Sequence, residues 1–123
     1  MRFAANILDV REGRENGTQV LELAGELDAA SAPAVRERLA EVATRGGGSL
    51  VIDLTSLMFI DSTGLSVLLN ARRRLTRRGR DFGVVCPAGH VRRILEVTKL
   101  LETLGCYATR EEAVTAVADG AES

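Results

Sequence analysis

The clearest change of hydrophobic pattern in the chain lies over Leu50–Asn70. The stretch begins with an apolar run, Leu50–Leu54, which only Asp53 interrupts, and this predicts a central strand buried on both faces. It continues into leucines at helical spacing, which predict a helix with one apolar face: Leu65, Leu68, Leu69 and Leu75. The segment Asp61-Ser62-Thr63-Gly64 lies where the strand gives way to the helix. Polar side chains and free backbone N–H groups are therefore expected to meet there.

The segment before this stretch predicts a pair of strands. Apolar positions alternate weakly over Phe3–Arg11, and a second strand is expected over Thr18–Gly25. The link between them, Glu12–Gly17, is polar and contains two glycines, which predicts a hairpin turn. Strands joined by so short a link pair antiparallel.

A helix is predicted after the second strand, from signals at both of its ends. Ser31 is placed to cap its N-terminus, and Pro33 lies in its first turn, where the missing N–H costs nothing. Gly46–Gly48 end the helix before the central strand begins. Between these signals, apolar residues recur at helical spacing: Val35, Leu39 and Val42.

Strand and helix patterns continue to alternate after the central stretch. The helix that begins at Ser62 is expected to end at Gly79, and a strand is expected over Phe82–Cys86, closed by Pro87. A third helical stripe follows that strand, with apolar residues at Val91, Ile94, Leu95 and Leu101.

The C-terminal segment predicts a short strand and a final helix. The strand is expected over Cys106–Ala108. Thr109 and Glu112 have the spacing of a capping box, which marks the start of a helix. Residues 118–123 are expected to form a frayed tail.

The order of these elements, β-β-α-β-α-β-α-β-α, indicates an α/β protein. We expect one domain over residues 1–123, with a mixed, mostly parallel sheet of four to five strands and about four helices. The first strand is expected at an edge of the sheet, antiparallel to its neighbour.

Composition and charge exclude several classes of function. The chain has 123 residues, a net charge of −1 and only 3% aromatic residues, so neither nucleic acid nor a membrane surface is an expected partner. The start of the chain resembles no signal peptide and no run is long enough to span a membrane, so we expect a cytoplasmic protein.

One histidine and two separated cysteines, Cys86 and Cys106, form neither a metal site nor a disulfide framework, and both cysteines are expected to be small core residues. The arginines of Arg72–Arg78 are expected on a solvated helix face.

Three interpretations of Ser62 follow from its position. It could cap the helix, with Gly64 letting the chain bend. It could accept a phosphate, because a helix N-terminus favours anions. It could be a nucleophile with His90, the only histidine, as its base, but no G-x-S-x-G elbow is present, and we expect no enzyme activity.

The surroundings of Ser62 bear on the second interpretation. Asp61 would oppose a phosphate there, and so would Asp28, provided that the strand before it ends at the same sheet edge. The three residues before the site, Met58-Phe59-Ile60, are unusually apolar for a loop. They either tuck under the helix or leave one or two side chains exposed as an anchor for a partner.

At these residues the sequence resembles the STAS domain family, and within it the bacterial anti-sigma factor antagonists. The resemblance is carried by Leu50–Leu69, by the D-S-T-G-L motif at 61–65 and by the G-E-L-D motif at 25–28. It extends to the later strand at Phe82–Cys86 and the helix at Val91–Leu95. It implies a β-α superhelix that covers nearly the whole chain.

The resemblance also implies a mechanism. In this family the serine after the aspartate, here Ser62, is phosphorylated by an anti-sigma factor that is also a serine kinase with its own ATP site. Thr63 is the less expected acceptor. The dephosphorylated antagonist binds that kinase and frees the sigma factor, phosphorylation releases the kinase, and a serine phosphatase resets the switch. No cofactor of this chain is implied.

The site residues expected from the resemblance and from the pattern form two groups. Asp28, Asp61, Thr63 and Gly64 surround the phosphoacceptor. The partner surface is expected on the Met58–Ile60 segment and the helix that follows, and includes Met58, Phe59, Ile60, Leu65 and Ser66. The alternative function is a constitutive adaptor subunit, because related domains also occur in stress-signalling scaffolds and in lipid or anion transport complexes.

Overall fold

A computed structural model describes residues 8–45 and 48–122, with side chains described as far as Val117. Strands and helices alternate along most of this length. The strands are β1 (Leu8–Glu15), β2 (Thr18–Leu27), β3 (Leu50–Asp53), β4 (Leu57–Ile60), β5 (Phe82–Val85) and β6 (Cys106–Tyr107). The helices are α1 (Ala32–Thr44), α2 (Ser62–Arg77), α3 (His90–Val97), α4 (Leu101–Leu104) and α5 (Arg110–Glu122).

The predicted α/β class and the mostly parallel sheet are confirmed. Within the described residues the sheet has six strands, against the four to five predicted, and is accompanied by five helices, against the predicted four or so. The extra strand is β4, which we expected to be a loop, and the extra helix is the single turn of α4. The edge position of β1 is also confirmed, because β1 pairs antiparallel with β2 at one end of the sheet order β1-β2-β3-β5-β6.

Strand β2 is long enough to pair with two strands in succession. Its first half pairs in parallel with β3, and its second half pairs in parallel with β4, with a register shift between Gly25 and Glu26. The last residues of β2 and β4, Leu27 and Ile60, are partners in this register. Both strands therefore end at the same place, and the residues that follow them, Asp28 and Asp61, leave the sheet at one edge.

The sheet separates two apolar cores of different size. The larger core combines alternate residues of the strands with α1 to α4 and includes Leu21, Leu23, Ile52 and Leu68, all fully buried. The smaller core lies on the opposite face under α5 and consists of Val20, Val51, Val85, Ala113, Val114 and Val117. The central strand β3 is buried at all four positions because it contributes to both cores, as predicted.

The hairpin turn is shorter than predicted. Asn16 and Gly17 form it alone, with φ angles of 52° and 83°, so the polar residues Glu12–Glu15 lie within β1. Two left-handed residues suit the tight connection of twisted strands, and Asn-Gly is the pair that reaches this conformation most easily. The part of the first predicted strand before Leu8 lies outside the described residues.

The helix boundaries confirm some sequence signals and correct others. Thr109 accepts a hydrogen bond from the Glu112 N–H at 3.1 Å, and the Glu112 carboxylate accepts one from the Thr109 N–H at 3.3 Å, so the capping box is confirmed. Ser31 precedes α1, but its side chain makes no capping hydrogen bond. Its hydroxyl donates instead to the Glu26 carbonyl at 2.8 Å.

The third helical stripe is divided between two helices. Lys99 adopts a φ of 62° between α3 and α4, which turns the chain and puts Leu101 on the separate helix α4. Two predictions about helix ends lie partly outside the described residues. The first is the end of α1 at Gly46–Gly48, of which residues 46 and 47 are not described. The second is the frayed tail over 118–123, where the side chains and Ser123 are not described. The backbone of α5 continues to Glu122, and the fraying of residues 118–123 stays a prediction.

Candidate functional site

Helix α2 begins at the shared edge of β2 and β4, and Asp61 holds its first turn in place. The Asp61 carboxylate accepts a hydrogen bond from the Gly64 N–H at 2.9 Å, and the Leu65 N–H donates to the Asp61 carbonyl at 2.9 Å. The Asp61 N–H donates to the Leu27 carbonyl at 3.2 Å, which fastens the helix start to β2. The cap is therefore Asp61, and the expectation that Ser62 caps the helix is wrong.

Because Asp61 supplies the cap, Ser62 is left as the first residue of α2 with an exposed side chain. Among the hydrogen bonds of the described residues, none involves its hydroxyl. The backbone N–H groups of Ser62 and Thr63 belong to the first turn and have no carbonyl partner within the helix. An oxyanion attached to Ser62 would lie beside these two donors and at the positive end of the helix dipole.

Gly64 is required by close packing rather than by a bend in the chain. It is buried, and a Cβ atom at this position would lie 2.7 Å from the Ile60 Cγ1 atom and 2.7 Å from the Leu27 carbonyl oxygen. Its φ angle is not among the positive ones, so any residue could adopt its backbone conformation. This corrects the expectation that glycine lets the chain turn here: its lack of a side chain lets α2 approach the ends of β2 and β4.

Asp28 lies at the same edge as Asp61, as expected, and its carboxylate is bound to its own loop. Asp28 Oδ1 accepts hydrogen bonds from the Ala30 N–H at 3.0 Å and from the Ser31 N–H at 3.1 Å. The Ser31 hydroxyl also accepts from the Asp28 N–H at 3.0 Å. Two half-buried carboxylates, each held by local backbone donors, thus follow the paired ends of β2 and β4, and Ser62 is the residue after the second of them.

The apolar segment before the site is strand β4, and its side chains point in different directions. Met58 is 73% exposed and Phe59 is 39% exposed, whereas Ile60 is 2% exposed and belongs to the larger core. Phe59 pairs with Glu26 across the strands, after the register shift of β2. The sequence left open whether all three side chains are buried under the helix or one or two are exposed. In the structure two of them, Met58 and Phe59, are exposed.

The remaining predicted surface residues lie on the first two turns of α2. Ser66 is exposed and Leu65 is half-buried, and Thr63 is also half-buried. The predicted surface is narrower than expected, because Ile60 is covered by its neighbours and offers no side chain to a partner.

One exposed apolar residue, Val97, was not predicted from the sequence. Val97 is 74% exposed at the end of α3, a helix that packs beside β4. A signal was available, since Val97 falls off the apolar stripe of Val91, Ile94 and Leu95, and an off-stripe valine on an amphipathic helix is exposed.

His90 is the first residue of α3 and is exposed, and no hydrogen bond of the described residues joins it to Ser62. The geometry that a serine nucleophile needs, a base within hydrogen-bond reach that is itself oriented by an acid, is not formed within residues 8–45 and 48–122. Both cysteines lie away from this site in apolar surroundings, where burial raises the pKa of the Cys86 thiol to about 11 and that of the Cys106 thiol to about 12.

A second polar cluster, which the sequence analysis also missed, lies at the end of β3. Asp53 is 3% exposed, and its Oδ2 atom accepts hydrogen bonds from Arg110 Nε at 2.9 Å and Arg110 Nη2 at 2.7 Å. Its Oδ1 atom accepts from the Thr55 N–H at 2.9 Å. The bond to Asp53 raises the pKa of the Arg110 guanidinium. The signal in the sequence was Asp53 itself, the one charged residue in the apolar run Leu50–Leu54, because a buried carboxylate requires a hydrogen-bonding or charged partner.

No described helix combines the length and apolarity that a membrane crossing requires.

Comparison with known proteins identifies the family of the chain. Residues 11–113 match the STAS domain family. The anti-sigma-F factor antagonist RsfB of Mycobacterium tuberculosis is 32% identical over 117 residues, which cover 95% of each chain. The anti-sigma-B factor antagonist of Bacillus subtilis is 32% identical over 107 residues, or 87% of this chain and 95% of that one. The crystal structure of an anti-sigma factor antagonist from Mycobacterium paratuberculosis matches with a TM-score of 0.84 and 32% identity, covering 93% of this chain and 97% of that one.

Proposed function

Because the chain belongs to the STAS domain family, we propose that it is an anti-sigma factor antagonist controlled by phosphorylation of Ser62. In its dephosphorylated form it binds an anti-sigma factor that is also a serine kinase, and the sigma factor is released. Phosphorylation weakens this binding, and a serine phosphatase restores it. The protein acts in the cytoplasm as a binding protein rather than an enzyme, and the ATP site belongs to its partner. Support comes from relatives that are named for this antagonism and match over most of their length.

The observation that carries the proposal is the exposed, unbonded hydroxyl of Ser62 beside a cap supplied by Asp61. A phosphate can be added there without removing a hydrogen bond that holds α2. The same helix start offers free N–H donors to the phosphate, so the modified fold remains stable. Thr63 is half-buried, which favours Ser62 as the acceptor.

The effect of the phosphate falls on the partner rather than on the internal structure. It adds a charge of about −1.5 to −2 at an edge where Asp28 and Asp61 are already negative. Next to it stand Met58 and Phe59, exposed side chains that suit an apolar contact with a partner, together with Leu65 and Ser66 on α2. A partner that covers these residues would have to bury the new charge, and each 1.4 kcal/mol of that cost weakens binding about tenfold.

Three bait proteins test the proposal in lysate of the source organism: Ser62→Ala, Ser62→Asp and Thr115→Asp. Thr115 is exposed on α5, which packs on the face of the sheet opposite to α2, so it controls for an added charge away from the site. We expect the Ser62→Ala and Thr115→Asp baits to retain an ATP-binding anti-sigma factor, and the Ser62→Asp bait to lose it. The captured kinase, incubated with ATP, should phosphorylate the wild type and Thr63→Ala but not Ser62→Ala.

Equal capture by all three baits would favour the constitutive adaptor instead. Aspartate imitates phosphate imperfectly, so that result is checked with protein phosphorylated at Ser62. Phosphate on Thr63 in the wild type, with none on Ser62, would contradict the assignment of the acceptor.

A further inference from the structure

The groove between α1 and α2 is lined by a cluster of positive charge. It has a volume of about 400 Å³, and buried side chains form its floor: Leu39, Val67 and Ala71. Its walls carry five arginines, one from α1 and four from α2 and the residue after it: Arg36, Arg73, Arg74, Arg77 and Arg78. No acidic residue lines it, and α2 contains none. In a chain with a net charge of −1, this is a marked segregation of positive charge.

Few of these five arginines are held by a hydrogen bond. Arg73 donates to the Asn70 side-chain oxygen at 3.1 Å, and Arg78 donates to the Ala43 carbonyl at 3.2 Å. By contrast, Arg74 and Arg77 are exposed and form no ion pair or hydrogen bond with the described side chains, which extend as far as Val117. The helix dipole favours cations in the last turn of α2, where Arg74 and Arg77 lie, but like charges on successive turns of one helix repel each other. A binding partner of opposite charge would relieve that repulsion.

We propose that this groove binds an acidic segment of a protein partner. Asn70, Arg73 or Arg74, and Arg77 recur on one face of α2 about every 5.4 Å, the pitch of a helix. Carboxylates on one face of a partner helix or strand recur at a similar interval, so several arginine–carboxylate pairs can form at once. Charge complementarity of this kind adds mainly to the specificity and the rate of association.

Other anionic ligands fit the groove less well. Nucleic acid bases stack on aromatic side chains, and none lines the groove. A membrane surface requires apolar side chains that enter the interface beside the basic ones. The large exposed apolar residues of the described chain are Met58, Phe59 and Val97, none of which lines the groove.

This contact is independent of the state of Ser62. Ser62 and Arg74 are twelve residues apart on one helix, which is about 18 Å. Charges in solvent are screened within about 8 Å at physiological ionic strength. The groove therefore provides a second contact that phosphorylation does not switch. An experiment can contradict the groove proposal without contradicting the proposed switch at Ser62, and the reverse.

The test uses a labelled peptide of alternating glutamate and alanine, with its glutamine analogue as the uncharged control. Binding is measured by fluorescence anisotropy and located by NMR shifts of the backbone amides. The variant Arg74→Gln/Arg77→Gln is matched with Arg11→Gln/Arg93→Gln, which removes two exposed arginines outside the groove. We expect the acidic peptide to shift amides of α1 and α2, and the groove variant to bind it about tenfold more weakly, since two exposed ion pairs are lost. The matched control and Ser62→Asp should bind within about twofold of the wild type.

Equal weakening by both double variants would overturn the proposal, because it would show attraction to the whole surface and not to the groove. Shifts elsewhere, or equal binding of the glutamine analogue, would overturn it too. Inorganic triphosphate and vesicles with anionic lipid are titrated in parallel. If either displaces the peptide and shifts the groove amides at lower concentration, a phosphate ligand or a lipid surface replaces the acidic segment as the occupant.

Discussion

Two aspartates stand at strand ends in this protein, and they are used in opposite ways. Asp53 is the last residue of β3 and is buried, with its two oxygens bound to Arg110 on α5 and to Thr55 in the loop after β3. Asp61 follows β4 and bonds only within its own turn and to the end of β2. The first connects distant parts of the fold, whereas the second stabilises a helix start locally and leaves Ser62 exposed.

The difference shows how a switch site can be built on a stable domain. At Asp53 each polar group is consumed by a partner, so any change there affects folding. At Asp61 the cap is complete without Ser62, so a change of charge on Ser62 need not alter the packing beneath it. We expect substitutions at the Asp53 end to lower stability and substitutions of Ser62 to alter binding alone.

The largest effect on stability is expected from the loss of the Asp53 carboxylate at the end of β3. Asp53→Ala removes four hydrogen bonds, two from Thr55 and two from Arg110, and leaves Arg110 facing only Glu15 and Glu22 at 3.9 Å or more. The free energy of unfolding should fall by about 3 kcal/mol, because several hydrogen bonds to a charged carboxylate are lost, while the Arg110 side chain, 38% exposed, remains solvated. Urea denaturation measures this, with the exposed Asp9→Ala as the matched control, expected within about 0.5 kcal/mol of the wild type. Equal losses in the two variants would remove the contrast between the two ends.

Gly64→Ala tests whether the site depends on close packing. The new methyl group would overlap the Leu27 carbonyl, a backbone atom that cannot move aside. We expect a loss of about 2 kcal/mol, although alanine gains about 1 kcal/mol in helix propensity. Gly13→Ala is the control, because a Cβ there meets no atom within 4 Å. A Gly64→Ala protein as stable as the wild type would show that α2 has room to shift.

The cap itself is expected to contribute less. Asp61→Ala should lower the free energy of unfolding by about 1 kcal/mol, because the Gly64 N–H loses its acceptor. Asp61→Ser should recover most of this loss, since a serine hydroxyl also accepts from the first turn. A loss in Asp61→Ala that Asp61→Ser does not reduce would mean that the carboxylate has a role other than capping.

The smallest effect on stability is expected for Ser62→Asp, the substitution that should weaken partner binding most. Ser62→Asp should alter the free energy of unfolding by no more than about 0.5 kcal/mol, because the favourable helix dipole and the nearby aspartates act in opposite directions. Ser66→Asp, one turn further along and equally exposed, provides the comparison. A fall of about 2 kcal/mol in the free energy of unfolding for Ser62→Asp, but not for Ser66→Asp, would show that a charge on residue 62 disturbs the fold. The distinction between the strand ends at Asp53 and Asp61 would then be wrong.

Local signals in the sequence located the site and most of the elements around it. The motif at 61–64, the leucine stripe of α2 and the capping box of α5 depend on residues a few positions apart, so they can be recognised without the fold. The Asn16-Gly17 turn was equally local and was placed within too long a loop, although this dipeptide specifies a two-residue turn.

What the sequence alone determined was the α/β class, the central buried strand and the helix start that carries Ser62. Tertiary structure decided which of two neighbouring residues caps that helix, because Asp61 is held by Leu27 of another strand. It also decided which apolar residues of β4 are exposed: Leu57 pairs with Gly25 and Phe59 with Glu26, so Met58 is an extra residue of β4 without a partner on β2, and Met58 and Phe59 are both exposed. The pairing of Asp53 with Arg110 joins residues that are 57 positions apart, and the arginine groove requires two helices side by side. Such long-range pairings depend on how the elements pack, and periodicity along one segment carries no information about its neighbours.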